Sequence, residues 1–344
     1  MNIEVLRELA GLQELGEEWR ALLEQVPAAT PFQTPEFQLA WWEHLGGGEW
    51  PGGQLHFLVG RGSGGELRGL APLFQPAGGG EEGRLLLLGS HEIADYLDFI
   101  AAPNDLPAFI QAALDHLESD DAVPWQRLDL YNLLESSASL PILEQSARSR
   151  GWDFHKEPLQ PAPIVSLPES WEVYLAGLSK KQRHELRRKM RRAVSYIPPA
   201  EVVLAASEQE VSAALDNLFT HMNENPEKRA FLTKKMEAQL RALVNAGMQH
   251  GWLQLSEMRL GREIAAVELN FDYRGVVWAY NSGSRMDYRE LSPGVVLHAH
   301  LIQQAIEQGR SGYDFMRGGE EYKFRMGAQS RDVLRVVLSR AKEN

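Results

Sequence analysis

The chain has 344 residues, no cysteine and a formal net charge of −12, with 44% hydrophobic and 24% charged residues. That length accommodates two domains of ordinary size, and the composition is that of a folded protein rather than a disordered one. The missing cysteine excludes disulfides, iron–sulfur clusters, thiolate zinc sites and a cysteine nucleophile, and the acidic balance argues against a general nucleic-acid coat.

Residues 1–10 carry acidic side chains where a signal peptide has a basic end and a long apolar run. No later stretch approaches the ~18 apolar residues of a membrane span, so a cytoplasmic protein without membrane insertion is expected. Trp41-Trp42 follows a Thr34-Pro35 helix start and reads as core packing. Residues 55–60 and 66–74 read as two strands of a hairpin around the turn 62–65. A strand at 85–88, a helix at 106–117 and a strand at 127–131 follow, and the glycine runs 46–48 and 78–80 read as loops. Pro158, Pro161, Pro163 and Pro168 forbid helix and mark an extended connector, which divides the chain into domains 1–160 and 161–344.

Beyond the connector, Ser179-Lys180-Lys181-Gln182 fits a capping box. With Leu178, Leu186, Met190 and Val194 as an apolar stripe, it predicts a helix over about 180–196, ended by Pro198-Pro199. Residues 180–192 hold eight Lys or Arg against Glu185 alone, a local charge of +7 that leaves −19 on the remainder. Such a face is solvated, or borders a cleft and attracts an anionic acceptor or cofactor phosphates, or contacts RNA.

The second half echoes the first. Residues 253–259 and 263–271 flank the turn 260–262, and REIAAVELNF lies against GELRGLAPLF without a gap. A strand at 276–280, a helix at 295–308 and a strand at 313–316 come next, with Tyr313-Asp314-Phe315 resembling Leu128-Asp129-Leu130. Strand, strand, strand, helix, strand, written twice, predicts a duplicated α/β unit whose central strands diverge around a cofactor.

The second half alone has Arg289-Glu290-Leu291-Ser292-Pro293-Gly294 before its helix. A turn of this kind leaves backbone amides pointing outward at the positive end of a helix dipole, where a pyrophosphate binds, although Ser-Pro is also an ordinary cap. Tyr322, Lys323 and Arg325 follow the strand end at 314–319, the place where open α/β sheets hold ligands. Tyr322 is placed to protonate a departing thiolate or simply to pack. Glu268, between Val267 and Leu269 on a strand, faces either the cleft or water. His298 and His300 are two apart on a helix, face different ways and make a poor metal pair, so no metal site is expected.

Residues 253–327 resemble the GNAT superfamily, more closely its CelD-like branch of acetyltransferase domains, which is similar in turn to the FemABX peptidyltransferases. The resemblance rests on Tyr288-x-x-x-Ser292-Pro293-Gly294, Asp314-Phe315, Arg317-Gly318 and Tyr322-Lys323-Phe324-Arg325-Met326-Gly327. In the first half it rests on Pro31-Phe32, Trp41-Trp42 and Asp95-Tyr96-Leu97-Asp98. It implies a tandem GNAT-like α/β fold, with two mixed central sheets flanked by helices and a degenerate first half. Acetyl-CoA or another acyl-CoA would lie in the second half, its pyrophosphate on Arg289, Leu291, Ser292, Gly294, Val295 and Val296. The usual superfamily turn has glycine where this chain has Ser292.

Under the same resemblance the strand amides at Tyr280 and Asn281 hold the thioester oxygen, Glu268 is the base, and Tyr322, beside Lys323, is the acid. Asp314, Arg317 and Gly318 face the acceptor, an amine on a small molecule or sugar. The alternatives are FemABX-like transfer from an aminoacyl-tRNA to a cell-wall precursor, which makes transfer RNA a partner, and a binding module of the same fold without catalysis.

Overall fold

The computed structural model describes residues 1–48, 50, 52–77, 83–89, 91–119 and 121–340; the glycine run 78–80 lies outside them. The chain forms two units, one of Met1–Gln160 together with the segment from Asp332 onward, the other Pro161–Arg331. The sequence reading assigns 332–344 to the second half. Instead, strand Asp332–Ser339 pairs antiparallel with Arg127–Leu134 of the first unit, where Val333, Val336 and Leu338 are fully buried.

Pro72 sets the layout of the first unit. Residues 66–74 read as one strand, but proline lacks the N–H a ladder needs. The strand is therefore split into Leu67–Ala71 and Leu73–Gln75. Its hairpin partner splits opposite, into Gln54–Leu55 and Phe57–Arg61, with His56 N–H bonded to Leu73 O at 2.9 Å. The two pieces enter different sheets, a four-stranded antiparallel one and a six-stranded mixed one. The core about them is aromatic: Trp19 packs on Phe57 and Trp41 on Phe74. Each such side chain withdrawn from water contributes on the order of 2 kcal/mol. Gly46, left-handed at φ 58°, ends helix Pro35–Leu45 as the glycine run predicts.

The second unit keeps one six-stranded mixed sheet. In chain order its elements are β1 (Ile164–Ser166), α1 (Trp171–Gly177), α2 (Lys180–Val194), β2 (Ala200–Leu204), α3 (Glu208–Glu224), α4 (Pro226–Phe231) and α5 (Lys234–Gln249). Then come β3 (Leu253–Leu260), β4 (Glu263–Tyr273), β5 (Val276–Ser284), a 3-10 segment Met286–Leu291, α6 (Pro293–Glu307), β6 (Gly312–Asp314) and α7 (Glu321–Arg325). The sheet runs β1-β6-β5-β4-β3-β2, and only the β5–β6 contact is parallel. The capping box at Ser179 is formed: its hydroxyl accepts from Gln182 N and its amide donates to Gln182 Oε1. The apolar side of α2 is carried by Leu186, Met190 and Ala193 rather than ending on Val194, which is exposed. Leu297, Leu301, Ile302, Ala305 and Ile306 of α6 fill the same core. Among the described residues no helix is long and apolar enough to cross a membrane.

Candidate active site

The site begins where two strands part. β5 and β6 pair only over Val276–Trp278 and Gly312–Asp314, after which Phe315 N–H turns to Pro163 O and β5 runs on alone to Ser284. Along its other edge β5 stays with β4, but the register slips between Leu269 and Asn270, opposite Asn281 and Ala279. Tyr280 is the extra residue of this bulge. A bulge re-aims local backbone groups. It puts Tyr280 and Asn281 at the mouth of the gap, with the Tyr280 ring held 5.2 Å from Phe271.

The N-terminus of α6 lies just beyond the end of β5. Ser292 caps it in the left-handed region, φ 52° and ψ 55°, and its hydroxyl makes no capping bond. A residue with a β-carbon pays about 1–2 kcal/mol to sit there. This is a conformation that glycine takes freely. Ser292 N–H returns to Arg289 O at 3.0 Å and Val296 N–H to Ser292 O at 3.1 Å. Pro293 has no donor, which leaves the amides of Gly294 and Val295 as the open pair at the positive end of the helix. A β-carbon placed on Gly294 would meet no atom within 4 Å.

These contacts revise two expectations. The Val296 amide is spent on the helix and its side chain is buried, so it does not belong to a cradle. The Leu291 side chain is likewise in the core. Arg289 is exposed on the 3-10 segment.

Beneath the gap is a buried polar cluster. Glu268, 1% exposed on β4, accepts from the Tyr313 hydroxyl through Oε1 and lies 3.0 Å from His298 Nδ1 through Oε2. His298 Nδ1 is also 2.9 Å from the Tyr313 hydroxyl. An Nδ1–H that serves the carboxylate leaves Nε2 as the ring nitrogen not engaged by it. Tyr322 stacks on His298 at 5.5 Å and 21°, with Phe315 edge-on to both. Burial, then Glu320 and Glu268, hold the Tyr322 hydroxyl well above the usual phenol range, so it remains a proton donor. Tyr313 is raised in the same way by burial and by Glu268.

Glu268 and Tyr322, expected from the sequence, are brought together by a residue that the sequence reading does not single out, His298. His298 was judged only as half of a metal pair. The available signal was its place on the buried side of α6 beside Leu297, Leu301 and Ile302. Lys228 was missed as well: from α4 its ammonium donates to the carbonyl and hydroxyl of Ser282, and burial pulls its pKa down. Nothing in the pattern of a six-residue helix announces it.

Three other expected residues have structural tasks. Lys323 spends its donors on the carbonyl of Arg317 at 2.7 Å and those of Met316 and Gly318 at 3.4 and 3.3 Å, and pairs with Glu320 at 2.9 Å. It closes the loop after β6 and is not available as a catalyst. Asp314 is 0% exposed, with Oδ2 on Arg331 and Oδ1 accepting from Met316 N at 2.8 Å, so it shapes the chain rather than a substrate. Gly318, at φ 116°, bonds Pro161 O, and a β-carbon there would lie 2.3 Å from Glu320 Oε2. Backbone geometry accounts for it. Arg317 is half-buried and remains at the rim of the loop. No group of acidic or histidine side chains among the described residues is arranged to hold a metal ion.

A mixed sheet whose parallel central strands part beside the open N-terminus of a helix defines an acyltransferase fold of the GNAT type. Residues 180–324, all within the second unit, match the family model described as the acetyltransferase (GNAT) domain. The chain superposes on the crystal structure of FemX with a TM-score of 0.66 at 12% identity, covering 98% of this chain and 97% of that one. It also matches the C-terminal domain of a putative lysylphosphatidylglycerol synthetase from Agrobacterium fabrum, with a TM-score of 0.58 at 11% identity and coverage of 94% and 92%. L-PGS from Bacillus licheniformis gives 0.57 at 12% identity, with coverage of 95% and 91%. At such identities these likenesses establish a shared fold, GNAT-like and FemABX-related, and nothing about ligands. No curated protein matches the sequence.

Proposed function

We propose that the protein transfers an acyl group, acetyl or another, from acyl-CoA to an amine of a small molecule or sugar by direct attack. The observation that carries the proposal is the opening of β5 from β6 beside the free Gly294 and Val295 amides, directly above the Glu268–His298–Tyr322 cluster. The two amides and Arg289 would hold the cofactor's pyrophosphate. The thioester would lie along β5, its oxygen near the Tyr280 and Asn281 backbone, where fixed dipoles favour the charge that develops on attack.

An acceptor amine with a solution pKa near ~10 arrives protonated, so a base must take its proton before the nitrogen attacks the thioester carbon. Glu268 has both oxygens engaged and is better read as the residue that orients His298, whose Nε2 takes the proton. Collapse of the tetrahedral adduct breaks the carbon–sulfur bond, and Tyr322 donates a proton to the departing thiolate.

Gly294→Ala provides the test. Because open space faces this position, alanine leaves the fold intact and intrudes only on a bound phosphate. Calorimetric titration is expected to show coenzyme A and acetyl-CoA binding to the parent chain and binding at least tenfold weaker to Gly294→Ala and Arg289→Ala, with unchanged unfolding midpoints. Equal binding by parent and variants would remove the cradle. One observation favours a second donor: among the described residues Lys180, Lys181 and Arg191 of α2 have no carboxylate partner, which suits the aminoacyl-tRNA implied by the FemABX resemblance. Tight, salt-sensitive binding of transfer RNA with no response to coenzyme A would select that reading instead.

A further inference from the structure

The basic helix has a face that the acyl-transfer reading does not use. Lys180, His184, Arg187, Arg191 and Val194 recur at helical spacing and are all exposed, so they form one continuous row along α2. Lys180, Arg187 and Arg191 give the row its positive charge, with Arg187 also 2.9 Å from Glu172, and the row turns aliphatic at its end. Val194 is 58% exposed, and three residues further on Ile197 is 90% exposed, the most open large apolar side chain among the described residues. Met286 is 63% exposed.

The chain connections make this continuity concrete. Pro198 abuts the β3–β4 turn, where a β-carbon on Gly261 would lie 2.9 Å from its ring. Arg285, next to Met286, reaches back to that hairpin through Ala265 O at 3.0 Å and Glu263 at 2.6 Å. Arg192 of α2 ties to Glu290 at 3.1 Å and to its carbonyl at 2.9 Å, closing the ring from the other side. Three aliphatic tips therefore stand on one end of the unit, beside a row of cations.

We propose that this end of the second unit docks on an anionic phospholipid surface, with the α2 row on the headgroups and Ile197, Val194 and Met286 in the acyl boundary. Basic side chains beside a small protruding apolar tip are what interfacial binding requires, since each alone gives only weak attachment. Charge also sets the orientation. Residues 180–192 carry +7 and the remainder of the chain −19, so an anionic surface favours approach by this face. The exposed Val194, Ile197 and Met286 favour a lipid surface over RNA, whose phosphates the same cations would suit but which offers aliphatic tips nothing to enter. The docking requires no donor or acceptor and stands apart from the transferase reading.

Co-sedimentation of the full chain with vesicles of phosphatidylcholine, and of phosphatidylcholine mixed equally with phosphatidylglycerol, tests it. Binding is expected to the mixed vesicles only and to weaken with added salt. Arg187→Glu with Arg191→Glu should weaken binding by on the order of 30-fold. Ile197→Asp, at a site too open to affect folding, should weaken it by roughly tenfold. Leu204→Asp, an exposed apolar position at the far end of β2, should leave binding unchanged. Equal binding to both vesicle types, indifference to Ile197→Asp, or binding to transfer RNA without binding to vesicles would each overturn the proposal.

Discussion

The two units follow the same order of hairpin, strand, helix and strand, yet among the described residues only the second opens a gap in its sheet. In the first, Arg84–Leu87 pairs with Arg127–Leu134 from its first residue through Leu86 and stops one residue later. In the second, β5 outruns its parallel partner by six residues, and that excess is the gap. The hairpins differ at the aligned positions too. Where the second unit has Glu268-Leu269 the first has Ala71-Pro72, so one substitution removes the carboxylate and its neighbour breaks the strand. Tyr313, which bonds Glu268, is matched by Leu128. What the units share is the next residue along, a fully buried aspartate held by arginine: Asp129 by Arg84 and Arg335, Asp314 by Arg331. The repeated feature is structural and the unrepeated ones are those with chemistry, which supports reading the first unit as the degenerate partner of the second.

The largest effect that could break this comparison concerns the shared aspartates. Asp129→Ala removes the carboxylate facing the buried Arg84, and urea unfolding should show a loss of about 3–5 kcal/mol; Asp314→Ala, which faces the partly exposed Arg331, should show a smaller loss of the same sign. A loss at only one of them would mean the two positions are not equivalent. His298→Ala is expected to lower kcat by about 10²–10⁴. Glu268→Gln, which keeps the shape but weakens the hold on His298, should fall between His298→Ala and the parent. Tyr322→Phe removes a proton donor to an already good leaving group, so a decrease of only about tenfold is expected.

The smallest effect sharpens the contrast through pH. Burial raises Asp98 of the first unit to about 6, outweighing the bonds it accepts from Ser137 and from Phe99 N at 2.8 Å. Its folded-state pKa thus lies above the unfolded value of 3.8, so its stabilising contribution is fully present below about pH 4 and lost as pH rises through 6. The swing is on the order of 2 kcal/mol for a group that is not wholly enclosed. His56, pushed down from 6.5 to about 4 mainly by burial, works in the opposite sense over nearly the same window. Comparing Asp98→Asn with the parent cancels the histidine, and the variant should lose less stability between pH 4 and 7 in chemical unfolding.

The order of elements was legible because periodicity, prolines and capping residues are local: the box at Ser179 and the turn at 292–294 lie where the sequence reading puts them. Most of the site was not. Asp314 and Lys323 have the residue types of catalysts, but their contacts with Arg331 and with the carbonyls of 316–318 turn them into braces. His298 went unrecognised because its worth depends on Glu268, 30 positions earlier and on a different element. Val194 fits the apolar stripe of its helix by spacing, yet Ala193 took the buried place and left it exposed.

By itself the sequence determined the α/β class, the break near residue 160, the basic helix and the Ser-Pro-Gly turn, all of which follow from hydrophobic period, backbone restrictions and charge within a few turns of chain. Only the tertiary structure decided how far β5 outruns β6, which polar groups are spent on the backbone, and that the final strand belongs to the first unit. Strand pairing and side-chain satisfaction join residues far apart in sequence, and no local pattern encodes which partner completes them.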